Sequence, residues 1–455
     1  MSFELPFKLP TGWQVATVDE LVKQKIIAKP LDGNHGGIHP KASDYIESGV
    51  PFVMASDLAG GRVDLIDCKF ISEEQASGLR KGIAKAGDVL LSHKATIGRT
   101  AIVQDSKHDF IMLTPQVTYY RVINSSALSN IYLKAYFDSR FFQSILGLWA
   151  GAGSTRAYLG ITGQLKLPII LPPIEIQNEI SGQVHALNKK VNLNNEINQT
   201  LEEMAQTIFK SWFVDFDPVK AKMNGDQPEG MDAATASLFP EKLVESEMGL
   251  IPEGWDIASI KDFGSVVCGK TPSKKNAEFY GGDVPFIKIP DTHGKVFITE
   301  TTDTLTQAGD ESQPKKRIPE NSICVSCIAT VGQVFITTKP SHTNQQINSV
   351  VPHDSNSLYY LLFKFKGLSK HFHDLASGGS ATLNMNTRTF SNVELVRPTA
   401  DVMEAFHQTI GGLMQKMLTN QLENATLAQL RDTLLPKLLS GEIELGQAQE
   451  LAEVE

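Results

Sequence analysis

The chain is short of cysteine, of long apolar runs and of basic charge, and each shortage excludes a class of protein. Four cysteines in 455 residues cannot build the disulfide framework of a small secreted domain. No stretch approaches the roughly 18 apolar residues that a membrane-spanning helix needs. The opening Met1-Ser-Phe-Glu-Leu-Pro has neither the basic stretch nor the apolar core of a secretory signal. A reducing, cytoplasmic location without membrane contact is therefore expected. With 41% hydrophobic and 20% charged residues the composition is that of a globular protein, and at about 150 residues per domain the length calls for two to four units.

The formal charge of -9 looks wrong for a nucleic-acid binder, which needs cations to displace counterions from phosphate. Its distribution changes that reading. Segments 1–174 and 251–400 stand at +3 and +1, whereas 175–214, 215–250 and 401–455 carry three Lys or Arg each against five, eight and nine Asp or Glu. The acid sits in connectors and tail. The two large segments are near neutral, so DNA binding would need help from basic partners.

Those two segments repeat one another. Leu9-Pro-Thr-Gly-Trp13 returns as Ile251-Pro-Glu-Gly-Trp255, and Val50-Pro-Phe-Val53 as Val284-Pro-Phe-Ile287. Asp88 to Gly98 matches Asn321 to Gly332, loosely at first and well from Ala95 and Ala329 onward. Alternating apolar residues there predict a strand in each copy. Gly151-Ala-Gly-Ser154 is echoed by Ser377-Gly-Gly-Ser380, and Pro172 by Pro398. A repeat of this length is one supersecondary plan used twice.

After each proline the pattern changes to helix. Ile180, Val184, Leu187, Val191, Asn194, Ile197, Leu201, Met204 and Ile208 step by four and three, the spacing of a coiled-coil seam. Phe406, Ile410, Leu413, Met417, Asn420, Leu427, Leu430 and Leu434 take the same steps 226 residues later, with Glu423 standing where the first copy has Ile197. Asn194 and Asn420 are equivalent. One reading makes them a device that fixes register, as a polar seam residue does; the other leaves them facing solvent. Gly441 in Leu438-Leu-Ser-Gly441 suits a left-handed C-terminal cap, and Asp217-Pro218 closes the first helix. Between the halves the acidic, turn-rich 217–250 carries one short helix near Ala233 to Leu238. A helix of 40 residues is about 60 Å long, so the second can bury its seam only by running back along the first.

The expected architecture is α+β: a globular segment 1–174, a helix 175–216, a linker 217–250, a second globular segment 251–400, a helix 401–443 and a tail 444–455. The two strand-rich domains would be separated by two long antiparallel coiled-coil helices in a pseudo-two-fold internal repeat.

Several strings resemble the specificity subunits of type I restriction-modification systems, and together they span nearly the whole chain. Leu171-Pro-Pro-Ile-Glu-Ile-Gln-Asn-Glu-Ile180 resembles the start of that family's central helix, and Phe209-Lys-Ser-Trp-Phe-Val-Asp-Phe-Asp-Pro218 its end. Leu430-Arg-Asp-Thr-Leu-Leu-Pro-Lys-Leu-Leu-Ser-Gly-Glu-Ile443 is similar to the end of the distal helix, and Gly249-Leu-Ile-Pro-Glu-Gly-Trp255 with Thr271-Pro-Ser273 to the start of a target-recognition domain. Arg397-Pro-Thr-Ala-Asp401 departs from the pattern, lacking the second proline and the glutamine of the first half. The resemblance implies a protein without chemistry of its own. Each domain would read one half of a bipartite, asymmetric site in double-stranded DNA, and the helices would set the gap and dock two methyltransferase subunits. S-adenosylmethionine, ATP and Mg would be bound by those partners and by restriction subunits carrying the motor and nuclease; no cofactor is expected on this chain.

Other motifs point elsewhere and are weighed on context. Gly264-Ser-Val-Val-Cys-Gly-Lys-Thr271 fits the spacing of a phosphate-binding loop, which needs a buried strand before it and a packed helix after it; a nucleotide hydrolase is thus one alternative, and a protein-binding adaptor another. Cys324-Val-Ser-Cys327 lacks a second ligand pair for zinc and reads as a buried strand. His371 and His373 are two apart, do not share a helical face and are expected at the surface. His35 and His39 have no neighbouring ligand cluster. Neither an Asn/Asp-Pro-Pro-aromatic tetrapeptide nor a nuclease constellation of carboxylates with lysine occurs. DNA contacts must then come from polar loops, where hydrogen-bonding side chains read base edges and lysines and arginines grip phosphate. In the first domain these are Asn34, His35, Lys41, Ser92, Lys94, Thr96, Arg99, Ser154 and Arg156. In the second they are Lys270, Thr271, Ser273, Lys274, Thr330, Gln333, Ser380, Asn384 and Asn386. Lys315-Lys-Arg317 reads as solvated surface.

Overall fold

A computed structural model describes residues 8–151, 157–377 and 383–442. The chain divides into two compact units, Met1–Leu193 with Asn424–Glu455, and Asn194–Glu423. The division falls inside both long helices, Ile174–Phe213 and Ala400–Ser440, so each unit takes part of each.

Both units are built on one plan. The turn Pro10 to Trp13 closes through Trp13 N to Pro10 O at 3.2 Å, and Pro252 to Trp255 through Trp255 N to Pro252 O at 3.1 Å. Gly12 and Gly254 take φ of 86° and 82°, a region in which only glycine sits without strain. Each turn feeds a strand that pairs antiparallel with the last strand of its domain, Gln14–Thr17 with Pro168–Leu171 and Asp256–Ser259 with Glu394–Arg397. Buried tyrosines tie these last strands down: Tyr132 donates to Ile170 O at 2.9 Å, and Tyr360 to Val396 O. A buried hydroxyl needs such a partner.

In the first unit a six-stranded sheet runs Leu31–Asp32, Val117–Tyr120, Val89–Ser92, Thr100–Ile102, Arg62–Val63, Leu58–Ala59. Helices Asn130–Asp138 and Arg140–Ala150 cover it, capped by Ser129 and Ser139, whose side chains accept from Tyr132 N and Phe142 N. In the second unit a five-stranded sheet runs Gly264–Cys268, Ile347–Pro352, Ile323–Ser326, Val334–Thr337, Phe297–Ile298 under Leu358–Gly367 and Ser369–Ala376. The linker holds two short helices where one was expected: Asp217–Met223, which Pro218 opens rather than only closing the long helix before it, and Ala233–Ser237, capped by Asp232.

The long helices pack differently at their two ends. In the first unit Ile180 and Val184 share a core with Leu434, Leu435 and Leu438. In the second unit Phe209, Trp212 and Phe213 share one with Phe406, Ile410 and Met414. The start of one helix meets the end of the other in both units, so the pair is antiparallel. Phe213 and Phe406 meet edge to face at 4.9 Å between ring centroids, and each buried aromatic of this cluster contributes about 2–3 kcal/mol.

The predicted seam needs correction in its detail. Ile180, Val184, Asn194, Phe406, Ile410, Asn420 and Leu434 are buried, but Leu187, Leu201, Ile208, Leu413 and Leu427 are only half-buried and Met204 is exposed. Ala205, Phe209 and Met414 take the deepest positions instead. A heptad seam serves one partner helix, whereas these helix ends also cover a domain core and bury a wider stripe. The asparagines are not solvent-facing: Asn194 and Asn420 are 1% and 0% exposed. At the far end Gly441 takes φ of 69°, as a C-terminal cap requires.

Candidate nucleic-acid interface

The matched strings around Ala95 and Ala329 form one turn built twice. Strand Val89–Ser92 turns into Thr100–Ile102, and Ile323–Ser326 into Val334–Thr337. In the first copy Ser92 N donates to Arg99 O at 2.9 Å and Gly98 N to Ser92 O at 2.9 Å; in the second, Ser326 N donates to Gln333 O at 3.0 Å and Gly332 N to Ser326 O at 2.9 Å. The serine hydroxyls accept from Arg99 N and Gln333 N at 2.9 Å each. Ala95 and Ala329 are left-handed, with φ of 63° and 61°, a strained setting for a side chain that surrounding contacts must hold. Here the hold is Ala95 N to Ala157 O at 3.1 Å and Ala329 N to Leu383 O at 3.0 Å. The repeat extends back to Gly87 and Asn321, both with positive φ, so Asn321 pairs with Gly87 rather than with Asp88 as the string match suggested.

Further loops are hydrogen-bonded to each turn. His93 N donates to Gln116 O at 2.9 Å and Cys327 N to Gln346 O at 2.7 Å, which brings in the segments Thr114–Gln116 and Asn344–Gln346. Arg99 Nη1 donates to Ala55 O at 3.1 Å and Ser56 O at 3.2 Å. Gln333, in the same position of the second copy, donates from Nε2 to His293 Nδ1 at 2.6 Å and accepts from Thr292 Oγ1. Sequence reasoning missed Gln116, His293 and Gln345, since they lie outside the matched strings. Their signal was only the polar turn after a strand pattern.

The predicted readers divide by exposure. Lys41, Lys94, Thr96, Arg99, Lys270, Ser273, Lys274, Thr330, Asn384 and Asn386 are exposed. Lys94 lies opposite Tyr158 in a bridge, its Nζ 6.0 Å from the ring centroid, and Ile328 opposite Asn384. Asn386 accepts from Thr389 N at 2.9 Å and caps a short helix. Asn34 and Ser92 are corrections: they are 3% and 0% exposed. Asn34 donates to Lys81 O at 2.6 Å and accepts from Arg80 N at 3.1 Å, so its amide organises the fold instead of meeting a base. His35 Nε2 lies 2.8 Å from Asp32 Oδ2, and Lys81 Nζ 2.7 Å from Asp32 Oδ1. Burial pushes the Asp32 carboxyl up, but the bonds from Lys81 and His35 outweigh it and hold the group below its usual range. Ser154, Arg156 and Ser380 lie outside the described residues.

The competing motifs do not gain the context they need. Gly264–Cys268 is a strand paired antiparallel with Ile347–Pro352, and no helix opens at Thr271; the next helical residues are the single turn Ala277–Phe279. That excludes the phosphate-binding loop. Cys324 and Cys327 are buried, and burial pushes their thiols up to about 12 and about 11, which keeps them protonated. His371 and His373 are exposed. Among the described residues no group of three His, Cys, Asp or Glu could hold a metal ion, and no helix is long and apolar enough to cross a membrane.

Two copies of one turn, each hydrogen-bonded to polar loops and carrying different side chains, suit a protein that reads two different sequences. The sequence matches the family described as Type I restriction modification DNA specificity domain over residues 10–203 and 252–431. The chain belongs to that family and is a DNA sequence-recognition subunit. It is 38% identical over 443 residues to the type I restriction enzyme HindI specificity subunit of Haemophilus influenzae, covering 87% of this chain and 94% of that one. It is 23% identical to the MjaIX specificity subunit of Methanocaldococcus jannaschii, over 98% and 100% of the two chains. The crystal structure of a type I S subunit from M. genitalium superposes with a TM-score of 0.51 at 12% identity, over 96% and 98% of the chains, and shows the same fold.

Proposed function

We propose that each unit reads one half of a bipartite duplex site and that the two halves differ. The observation that carries this is the doubled turn, whose scaffold is kept while its display is not. Lys94 and Arg99 in the first unit stand where the second has Ile328 and Gln333. One scaffold with two displays suits an asymmetric target, because phosphate contacts fix each unit's register while the hydrogen-bonding groups beside them tell base edges apart.

The long helices set the spacing of the half-sites and dock two methyltransferase subunits, an assignment supported by exposed Leu193, Met204 and Leu422 on their surfaces. Methylation with S-adenosylmethionine, and ATP- and Mg-dependent translocation and cleavage, belong to the methyltransferase and restriction chains of the complex, which works in the cytoplasm. Mapping the bases methylated in random DNA by the chain with its methyltransferase subunits tests the proposal. A two-part motif with unequal halves and a fixed gap is expected. A palindromic motif, or none, would overturn it.

A further inference from the structure

Resting on that reading, we infer that Gln345 is a base-reading residue of the second unit, oriented by Thr271, and that the base it reads is adenine. Gln345 is exposed at the tip of the turn Asn344–Gln346, and Thr271 Oγ1 donates to its Oε1 at 2.7 Å. That bond anchors one end of the amide. The hydroxyl proton occupies one lone pair of Oε1, and Nε2 has no partner among the described residues. What faces outward is an amide donor beside an acceptor.

Both residues stand on a braced platform. Cys327 N donates to Gln346 O at 2.7 Å and Ile347 N to Asn344 O at 3.2 Å, while the Asn344 side chain donates to Gln346 Oε1 at 2.8 Å and accepts from Gln346 N at 3.1 Å. The segment bearing Thr271 is pinned on both sides. Lys270 N donates to Thr343 O at 2.9 Å, and Gln313 Nε2 donates to Lys270 O at 2.9 Å. Gln313 Nε2 also lies 3.2 Å from buried His342 Nδ1, and His342 Nε2 lies 2.7 Å from Asp310 Oδ1. A Cβ on Gly269 would fall 2.1 Å from Asn344 O, so only glycine lets the two segments touch.

The chemistry then selects the base. In the major groove adenine offers an acceptor at N7 beside a donor at N6, whereas guanine offers two acceptors, cytosine a donor and thymine an acceptor with a methyl. An outward donor and acceptor side by side complement adenine. Gln333 is less free to turn to a base, since it is half-buried and its amide is tethered at both ends, by Thr292 and His293. The first unit has no counterpart either: Thr114 N donates to Val53 O as Asn344 N does to Ile287 O, which sets Pro115 in the place of Gln345. The contact is thus confined to one half-site.

The test maps methylation of randomised DNA by the full chain with its methyltransferase subunits. With the unaltered chain a two-part motif is expected; without one, the recognition reading itself fails. With Gln345→Ala one adenine position of one half-site should relax by roughly 5- to 150-fold, the other half-site staying unchanged. Gln345→Glu should tolerate cytosine there, since a carboxylate accepts from its N4 amino group. Thr271→Val should relax the same position in part and Thr271→Ser restore it. An unchanged motif with Gln345→Ala, relaxation at a base other than adenine, or equal loss across all sequences would overturn the inference.

Discussion

Asn194 Nδ2 donates to Glu423 Oε2 at 2.8 Å across the helix pair. Next to it Asn420 Nδ2 donates to Asn198 Oδ1 at 2.9 Å, and Asn198 Nδ2 to Met417 O at 3.1 Å. Glu423, the one break in the seam repeat, is therefore the partner of a buried asparagine. The pairing satisfies both groups at one register only.

Asn194→Leu should destabilise the chain by about 1–3 kcal/mol, because it takes a donor from a half-buried carboxylate. Asn194→Leu combined with Glu423→Leu should recover that loss, since apolar pairs of similar volume replace buried polar ones at little cost. Thermal unfolding of the two variants checks the order. Equal melting of the single variant and the unaltered chain would show that the pair does not fix register.

His93 supplies a pH dependence. It is fully buried, its Nδ1 donates to Leu159 O at 3.1 Å, and burial holds its pKa below the usual range. A histidine with a depressed folded pKa binds fewer protons folded than unfolded, so stability is present above the unfolded value of about 6.5 and falls as pH drops below it. Thermal stability should decline as pH falls below about 6.5. His93→Cys, which copies Cys327 at the equivalent position, should flatten that window at the cost of a constant offset for the lost volume. A slope unchanged by the substitution would assign it to other groups.

Much of this was legible in the sequence, and the losses have physical causes. The repeat, the helices and the cap at Gly441 follow from local chemistry: periodicity, proline, and glycine where φ is positive. The readers follow less well. Asn34 and Ser92 sit in polar, loop-like strings, yet their side chains bond backbone atoms brought close only by folding. Gln345 lay outside every motif, because Thr271, its orienting partner, is 74 residues away in sequence. The seam positions went astray at Leu413 and Met414 for a similar reason: heptad spacing assumes one packing partner, and these residues face a domain as well.

Lys94 is exposed on the turn of the first unit and is expected to meet phosphate. Lys94→Ala should weaken binding of the methyltransferase-bound complex equally across sequences and lower the slope of log K against log salt by about 1. Fluorescence anisotropy at several salt concentrations reads both quantities. The lone chain, with its formal charge of -9, should bind weakly at every concentration. A change of preferred sequence with Lys94→Ala would make it a base reader.

A fragment of residues 1–216 tests the internal repeat most directly. In the intact chain Ile180 and Val184 are covered by Leu434, Leu435 and Leu438, all absent from the fragment. Leaving such side chains in water costs about 1.5–3 kcal/mol each. The repeat offers a substitute within the fragment. At the offset of 226 that relates the helices, Ile208, Phe209 and Trp212 stand where Leu434, Leu435 and Leu438 do. A second copy running antiparallel would lay those three over Ile180 and Val184, and the first copy would return the contact, as a two-fold interface requires. The fragment should sediment as a dimer. With methyltransferase subunits the dimer should methylate a palindrome made of the first half-site twice. A Phe209→Asp change should leave it monomeric, by placing a charge where an apolar contact forms. A monomer in the unaltered fragment would show that the two helices, although alike in sequence, cannot replace one another.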